Sequence, residues 1–300
     1  MGQRIVIAGA SGLIGTALRR ALEERGDAVL SLVRREPDNA GDRSWDPASG
    51  SMDSAVLDGV DAVVCLSGAG VGDSRWTPAY KRHLLQSRVD STGTLARAIA
   101  ASGRPIRLVA GSAVGAYGDR GDEALDEDSS PGEGFLAELV RAWEAAAGPA
   151  RDSGAPVAHA RTGIVLSRTG GAMGRVLPLA RLGLAGPLGS GRQFWPWITL
   201  VDEVRALMHL IDRPDLVGPV NLVGPTPSRQ RDLMQAIGTA LHRPAVLPAP
   251  APALRLALGE FASDILGSQR VVGRVLVDSG FAHTHAHLGS AVSWLVGHQD

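Results

Sequence analysis

RIVIAGASGLIG, residues 4–15, sets the reading of the whole chain. Arg4 to Ala8 is a short β-branched run, the mark of a buried strand. Gly9, Gly12 and Gly15 follow at G-x-x-G-x-x-G spacing. Leu13, Ile14, Ala17, Leu18, Ala21 and Leu22 then recur at helical period, with Arg19, Arg20, Glu23 and Glu24 on the other face. Gly26 is placed to end that helix. Strand, glycine turn and helix in this order make a phosphate cradle. Gly9 permits the tight turn, Gly12 lets the backbone approach a pyrophosphate, and Gly15 lets the helix pack closely on the strand. The helix N-terminus stabilises the anion. A glycine turn with no ligand is the plain alternative; the context favours a nucleotide.

The pattern repeats along the chain. Strands are expected at 28–33, 61–66, 106–111 and 157–165, with helices at 79–101 and 135–152. Buried strands alternating with helices predict an α/β fold, a Rossmann-type doubly wound parallel sheet. After Val165 the texture becomes Gly-rich through GPLGSGRQFWPWI, residues 186–198. Helices are expected at 202–212, with Asp202 as a cap, and at 228–242, with Ser228 as a cap. PAPAP at 248–252 reads as a stiff connector. The expected division is a core over 1–165, a smaller α+β substrate lobe over 166–246 interleaved with it, and a C-terminal helical segment over 247–298.

With 300 residues, 44% of them hydrophobic, the chain is long enough for a substantial core. Its net charge of -1 argues against a nucleic-acid partner, which calls for a basic excess. Cys65, the single cysteine, lies in the apolar run AVVCL, so no disulfide framework is expected. No basic-apolar leader and no apolar run near the ~20 residues of a membrane span is visible, which predicts a soluble cytoplasmic protein.

The second strand ends in Val33, Arg34 and Arg35, where an NAD-binding chain usually carries a carboxylate for the ribose hydroxyl. A guanidinium there attracts a 2′-phosphate, so NADP(H) is expected over NAD(H). Leu66, Ser67 and Gly68 form the next strand-to-helix turn, beside the same crevice.

Together GASGLIG, CLSGAG, RWTPAYKRHLLQSRV, GSAVGAYG, RTGIVLSRTGGAMG and GPLGSGRQFWPWI resemble one family. It is the atypical extended short-chain dehydrogenase/reductases of the "epimerase family protein" kind, and LGEFASDILGSQRVVGRVLVDSGF resembles the small domain that ends its members. The resemblance spans essentially the whole chain. It implies a Rossmann core, an NADP site and a substrate lobe, with no assigned substrate. Residue by residue, it implies Ser11, Gly12, Leu13 and Ile14 at the pyrophosphate and Val33 and Arg34 at the adenosine phosphate. It likewise implies Leu66 and Ser67 along the cofactor, Arg88 reaching it from the long helix, and Gly163 and Ile164 near the nicotinamide.

Enzymes of this superfamily use a tyrosine whose pKa is lowered by a lysine four residues on, with a serine that polarises the substrate. Ser112 stands in the serine place. The pair is missing: the tyrosines are Tyr80 and Tyr117, the only lysine is Lys81, and Phe135 or Leu136 occupies the tyrosine position. Three options stay open. Tyr117 acts as proton donor unassisted; a carboxylate such as Glu138 or Glu144 serves, although solvation on a helix face is the expected fate of either; or the chain binds NADP(H) without turnover, as a regulatory or scaffold protein.

Arg192, Gln193 and Trp197 are candidates to line a substrate pocket, with lobe packing as the alternative. His283, His285 and His287 alternate as in a metal site, but packing is expected and no metal is assigned. The acidic run 119–133 is expected to be a solvated loop. The substrate is an unidentified small molecule, and a homodimer or a protein partner stays open.

Overall fold

In a computed structural model, which describes residues 2–297, the opening stretch folds as its pattern requires: strand β1 (Arg4–Ala8), helix α1 (Leu13–Arg25) and strand β2 (Ala28–Val33). Gly26 ends α1 with φ +93°, where its amide reaches Glu23 and the Asp27 amide reaches Leu22. Only glycine takes that backbone without strain.

Strands β3 (Asp42–Asp46), β4 (Ser51–Met52) and β5 (Ala62–Cys65) follow, then α2 (Pro78–Ala101) and β6 (Arg107–Ala113). Thr77 caps α2 by accepting the Tyr80 amide, and Pro78 sits in the first turn. Beyond β7 (Ala124–Leu125), the helix expected over 135–152 divides into α3 (Phe135–Ala145) and α4 (Gly148–Asp152). Pro149 enforces the break, since it lacks an amide proton and disfavours helix at the residue before it. The strand expected over 157–165 likewise divides at Gly163 into β8 (Val157–Thr162) and β9 (Ile164–Leu166). A Cβ at Gly163 would lie 2.6 Å from the Pro196 carbonyl oxygen, so only glycine permits that close passage.

The Gly-rich stretch holds α5 (Gly171–Arg181), β10 (Phe194–Trp195) and β11 (Trp197–Thr199). Next come α6 (Leu200–Asp212), β12 (Gly218–Leu222), β13 (Ser228–Arg229) and α7 (Gln230–Ala240). Two caps differ from expectation. Thr199 caps α6 and Asp202 lies in its first turn; Arg229 precedes α7, and Ser228 instead accepts the indole N–H of Trp197 at 3.2 Å. The last segment carries α8 (Ala251–Leu258), α9 (Phe261–Leu266), β14 (Arg270–Val271), α10 (Arg274–Asp278) and α11 (Leu288–Val296). Residue 298, the expected end of that segment, lies outside the described residues.

Eight strands form the main sheet in the order β12-β8-β6-β5-β1-β2-β3-β4, parallel throughout except β3 with β4. The chain winds outward from β1 to β2 and β3, then returns to the other side through β5 and β6. The crevice at the carboxyl ends of β1 and β5 is therefore the switch point, where such sheets bind ligands. Residues 5–8 of β1 and all of β5 are apolar because both faces are covered. Leu18, Leu22, Leu207 and Leu210 of α1 and α6 fill one face; Leu95, Ile99 and Ala150 of α2 and α4 fill the other.

α6 and β12 pack into this core although they lie inside 166–246. The C-terminal segment is no separate appendage. Ala291, Val292 and Leu295 of α11 share one core with Leu177, Trp195, Trp197, Leu233 and Ile237 of the second lobe. Among the described residues no helix is long and apolar enough to cross a membrane.

Candidate functional site

The glycine turn closes the carboxyl end of β1. Gly9 takes φ +89°, and a Cβ there would lie 2.7 Å from the Leu66 carbonyl carbon. A Cβ on Gly15 would lie 2.1 Å from the Gly9 carbonyl oxygen, so α1 seats on the turn only without a side chain there. At Gly12 the approach is open: the nearest atom to its Cβ position is the Gly9 oxygen, at 3.4 Å. Gly12 is the N-cap of α1 and supplies no side-chain cap, so the first-turn amides at Leu13 and Ile14 stand ready for an anion. Ser11 and Gly12 are exposed at this mouth. Gly15→Ala is expected to cost about 1–3 kcal/mol of stability through overpacking. Urea unfolding monitored by circular dichroism measures it, and a neutral outcome would contradict the seating of α1.

At the end of β2, Val33 is half-buried, and Arg34 and Arg35 are exposed. They are not equivalent. Arg35 is engaged by Asp38 and by Asp42, 3.1 Å away. Arg34 makes no hydrogen bond or ion pair among the described residues, which leaves its guanidinium for a ligand. At the end of β5, Leu66 and Ser67 line the crevice and Gly68 admits Arg88: a Cβ on Gly68 would lie 3.1 Å from the Arg88 side chain. Arg88 donates to the Leu84 carbonyl at 3.0 Å and lies over the Trp143 ring, 5.1 Å from its centroid. Burial without a carboxylate partner pulls its pKa down to about 10. A sunken cation with no counter-ion among the described residues, at the switch point, suits a ligand that brings negative charge.

Behind the end of β6 lies a polar network that spacing alone did not reveal. Arg161 of β8 grips Glu144 of α3 with two bonds, 2.8 and 2.9 Å long. Ser112 donates to the same carboxylate at 2.6 Å. Arg161 also donates to the Tyr117 hydroxyl at 3.0 Å, and that hydroxyl donates to Asn221 at 2.8 Å. Burial works against the Glu144 carboxylate, but Arg161 outweighs it and holds the acid below its ordinary value. For Tyr117, burial outweighs Arg161 and raises the phenol.

Several expectations change here. Tyr117 is wholly buried and both sides of its hydroxyl are occupied, so its geometry is that of a brace between strands. Glu144 is not solvated, because Arg161 draws it into the network; Glu138 is exposed, as a helix-face residue should be. Gln193 is buried with its amide on the Leu188 carbonyl, and Trp197 is 1% exposed. Both pack within the second lobe; Arg192 alone of that trio is exposed. The acidic run is not simply solvated. Glu127 is buried and accepts the Asn221, Arg274 and Val275 amides, while Asp122 pairs with Arg229. The three histidines part ways in a loop: His283 bonds the Val223 carbonyl oxygen, His285 stacks on Trp294, and His287 precedes α11.

Arg161 and His159 gave one signal in the sequence, charged or polar residues inside an otherwise apolar strand. A buried strand charge implies a partner, but the sequence did not say which.

Residues 5–224 match the model of the NAD dependent epimerase/dehydratase family, and residues 249–295 match a domain of unknown function, DUF1731. The chain belongs to that epimerase/dehydratase family. An epimerase family protein of Mycobacterium bovis is 46% identical over 291 residues, covering 97% of this chain and 96% of the relative. The crystal structure of the human epimerase family protein SDR39U1 with NADPH superposes with a TM-score of 0.89 at 35% identity, covering 98% of this chain and 99% of that one. A structure described as a nucleoside-diphosphate sugar epimerase from Corynebacterium glutamicum gives 0.81 at 35% identity, covering 99% of this chain but 59% of that one. Both the core and the C-terminal segment of this family member are thus accounted for, as the motifs had implied.

Proposed function

We propose that the chain binds NADP(H) in the crevice at the ends of β1, β2 and β5 and uses it in oxidoreductase or epimerase-like chemistry on a small molecule. The observation that carries this reading is a pair of arginines, Arg34 after β2 and Arg88 against Gly68 after β5, with no carboxylate partner among the described residues, beside a glycine turn whose first-turn amides are uncapped. Arg34 would hold the 2′-phosphate, Gly12, Leu13 and Ile14 the pyrophosphate, and Gly163 and Ile164 would border the nicotinamide. The NADPH in the human relative's structure supports the same cofactor. Bound NADPH supplies a transferable hydride. Ser112 lies at the end of β6, and its proton is committed to Glu144; it reaches a substrate oxygen only by turning away from that carboxylate.

A charged phosphate contact contributes about 1.5–3 kcal/mol. Arg34→Ala is therefore expected to weaken NADPH binding by about 10- to 100-fold and to leave NADH binding unchanged. Calorimetric titration with both nucleotides tests it; equal loss for both, or none, would count against the assignment of Arg34. A second reading, NADP(H) binding without turnover in a regulatory or scaffold role, is favoured by the Tyr117 hydroxyl held between Arg161 and Asn221 and by Phe135 or Leu136 in the tyrosine place. It predicts a protein partner whose affinity changes with NADPH.

A further inference from the structure

Helix α8 reads APALRLAL, residues 251–258, and is apolar on every side except at Arg255. A helix of that kind belongs inside a protein. Here it has no buried side chain, and Leu256 is 80% exposed. The next helix shows the contrast. α9 is fastened to the core by a wall of Phe135, Trp76 and Phe261, in which Trp76 meets the other two rings at 5.1 and 5.2 Å. Trp195 holds its far end by donating to the Ile265 carbonyl at 3.1 Å.

α8 continues a larger apolar face. The chain before it, 243–251, runs alongside 181–189 in the same direction. Arg243 donates to the Arg181 carbonyl at 3.0 Å, the Ala249 amide to Pro187 at 2.9 Å and the Gly189 amide to Ala249 at 2.8 Å. At Gly186 the two segments pass so closely that a Cβ would lie 2.0 Å from the Leu247 carbonyl oxygen. This pairing brings Leu182 and Leu184 beside Val246 and Leu247, with Leu179 just before them at the end of α5. All five are half exposed or more, Leu182 at 71% and Val246 at 72%. Single exposed aliphatics are ordinary; a set on adjoining segments marks an interaction surface.

The face is also without acids. No Asp or Glu occurs in 153–201 or in 233–259, and Arg181, Arg243 and Arg255 stand there instead. The side chains of Arg181 and Arg255 make no hydrogen bond or ion pair among the described residues, and Arg243 bonds only backbone carbonyls. Asp232 and Glu260, the first acids beyond 233–259, are 3.5 Å from Arg231 and 2.7 Å from Lys81. In a chain of net charge -1 this is a local cationic excess. A second copy of the chain would bring the same arginines against these, which disfavours self-association. A docked helix is recognised by a groove, and side chains exposed to this degree stand out rather than line one. They suit a fluid layer that closes around them.

We infer that this face, Leu182, Leu184, Val246 and Leu247 together with α8, rests on a membrane surface that carries anionic lipid. The aliphatic side chains enter the boundary of the acyl layer, and Arg181, Arg243 and Arg255 reach the lipid phosphates. Such interfacial binding needs no spanning helix. It is independent of the cofactor.

Flotation of the full chain with vesicles tests the inference. Wild type is expected to float with equimolar phosphatidylcholine–phosphatidylglycerol vesicles, to bind phosphatidylcholine alone at least about 10-fold more weakly, and to be released as salt is raised. Leu182→Glu with Val246→Glu is expected to lose at least about 30-fold in vesicle affinity, and Leu256→Glu at least about 5-fold. Arg181→Gln with Arg255→Gln, which spares the apolar face, is expected to lose about 25-fold, 5-fold for each charge. Because these positions are exposed, all variants are expected to keep the circular dichroism and urea midpoint of wild type. A wild type that ignores the mixed vesicles, or a Leu182→Glu/Val246→Glu variant that binds them as wild type does, overturns the inference. Two further measurements find the other occupants. A dimer in sedimentation velocity that Leu182→Glu with Val246→Glu dissociates assigns the face to a second copy. Binding of an acidic amphipathic peptide by a wild type that ignores vesicles assigns it to a protein. Either result overturns the lipid assignment.

Discussion

Arg161→Leu is expected to destabilise the folded chain by about 3–5 kcal/mol, the usual cost of leaving a buried charge without its partner. The Glu144 side chain is 17% exposed and that of Arg161 9%, so water cannot readily replace the two bonds between them. After the substitution Glu144 keeps only the hydroxyl of Ser112, and Tyr117 keeps only Asn221. Three neighbouring strands and α3 meet at these groups, so the loss is shared between sheet and helix. Replacing both charges, Arg161→Leu with Glu144→Leu, is expected to recover most of the loss, because the Coulombic gain of a buried pair roughly offsets its desolvation. Tyr117→Phe is expected to cost only about 1 kcal/mol, one hydrogen bond, and to leave NADPH binding intact. Urea unfolding of the three variants measures this. A single-mutant loss below about 1 kcal/mol would show that the network is solvated.

Glu203→Gln is expected to flatten the fall in stability between about pH 5 and 8. Glu203 is fully buried in α6; one oxygen accepts the Thr162 hydroxyl at 2.7 Å and the other has no partner among the described residues. Burial pushes its pKa from 4.5 up to about 8, only partly opposed by Thr162. Below pH 4.5 the acid is protonated in both folded and unfolded chains, and folding is not penalised. As pH rises the unfolded chain releases this proton first, so the folded state binds more protons and stability declines until the folded pKa is passed. At about 1.4 kcal/mol per pKa unit the decline amounts to roughly 3–5 kcal/mol. The Gln variant lacks the titration but keeps the Thr162 contact. Comparing wild type and variant at pH 5 and pH 8 by urea unfolding cancels every other titrating group. Parallel pH dependences would mean that Glu203 is ionised when folded.

Much of the nucleotide crevice was legible because its parts are local. Gly9, Gly12 and Gly15 answer to backbone geometry within one turn, and the strand and helix around them to periods of two and 3.6. Arg34 was legible for the same reason, as the residue that ends β2. Its difference from Arg35 was not, because Asp42 comes from a short strand, β3, whose polar run DRSWD shows no apolar pattern. β12 was missed for a related reason: five residues flanked by loops carry too little periodicity to announce a strand.

Tertiary structure alone decided which polar residues are free. Glu144 and Arg161 are 17 residues apart, Tyr117 and Asn221 are 104 apart, and either pair read singly looks like a solvated charge or a candidate catalyst. The wall of Trp76, Phe135 and Phe261 joins three distant segments in the same way. The sequence by itself determined the central strands β1, β2, β5, β6 and β8, the glycine cradle and the absence of a tyrosine–lysine pair, because each depends on neighbours along the chain. It could not determine that the Tyr117 hydroxyl is held between Arg161 and Asn221. A side chain's role depends on what surrounds it in space, and burial, pairing and pKa are set only when remote segments meet.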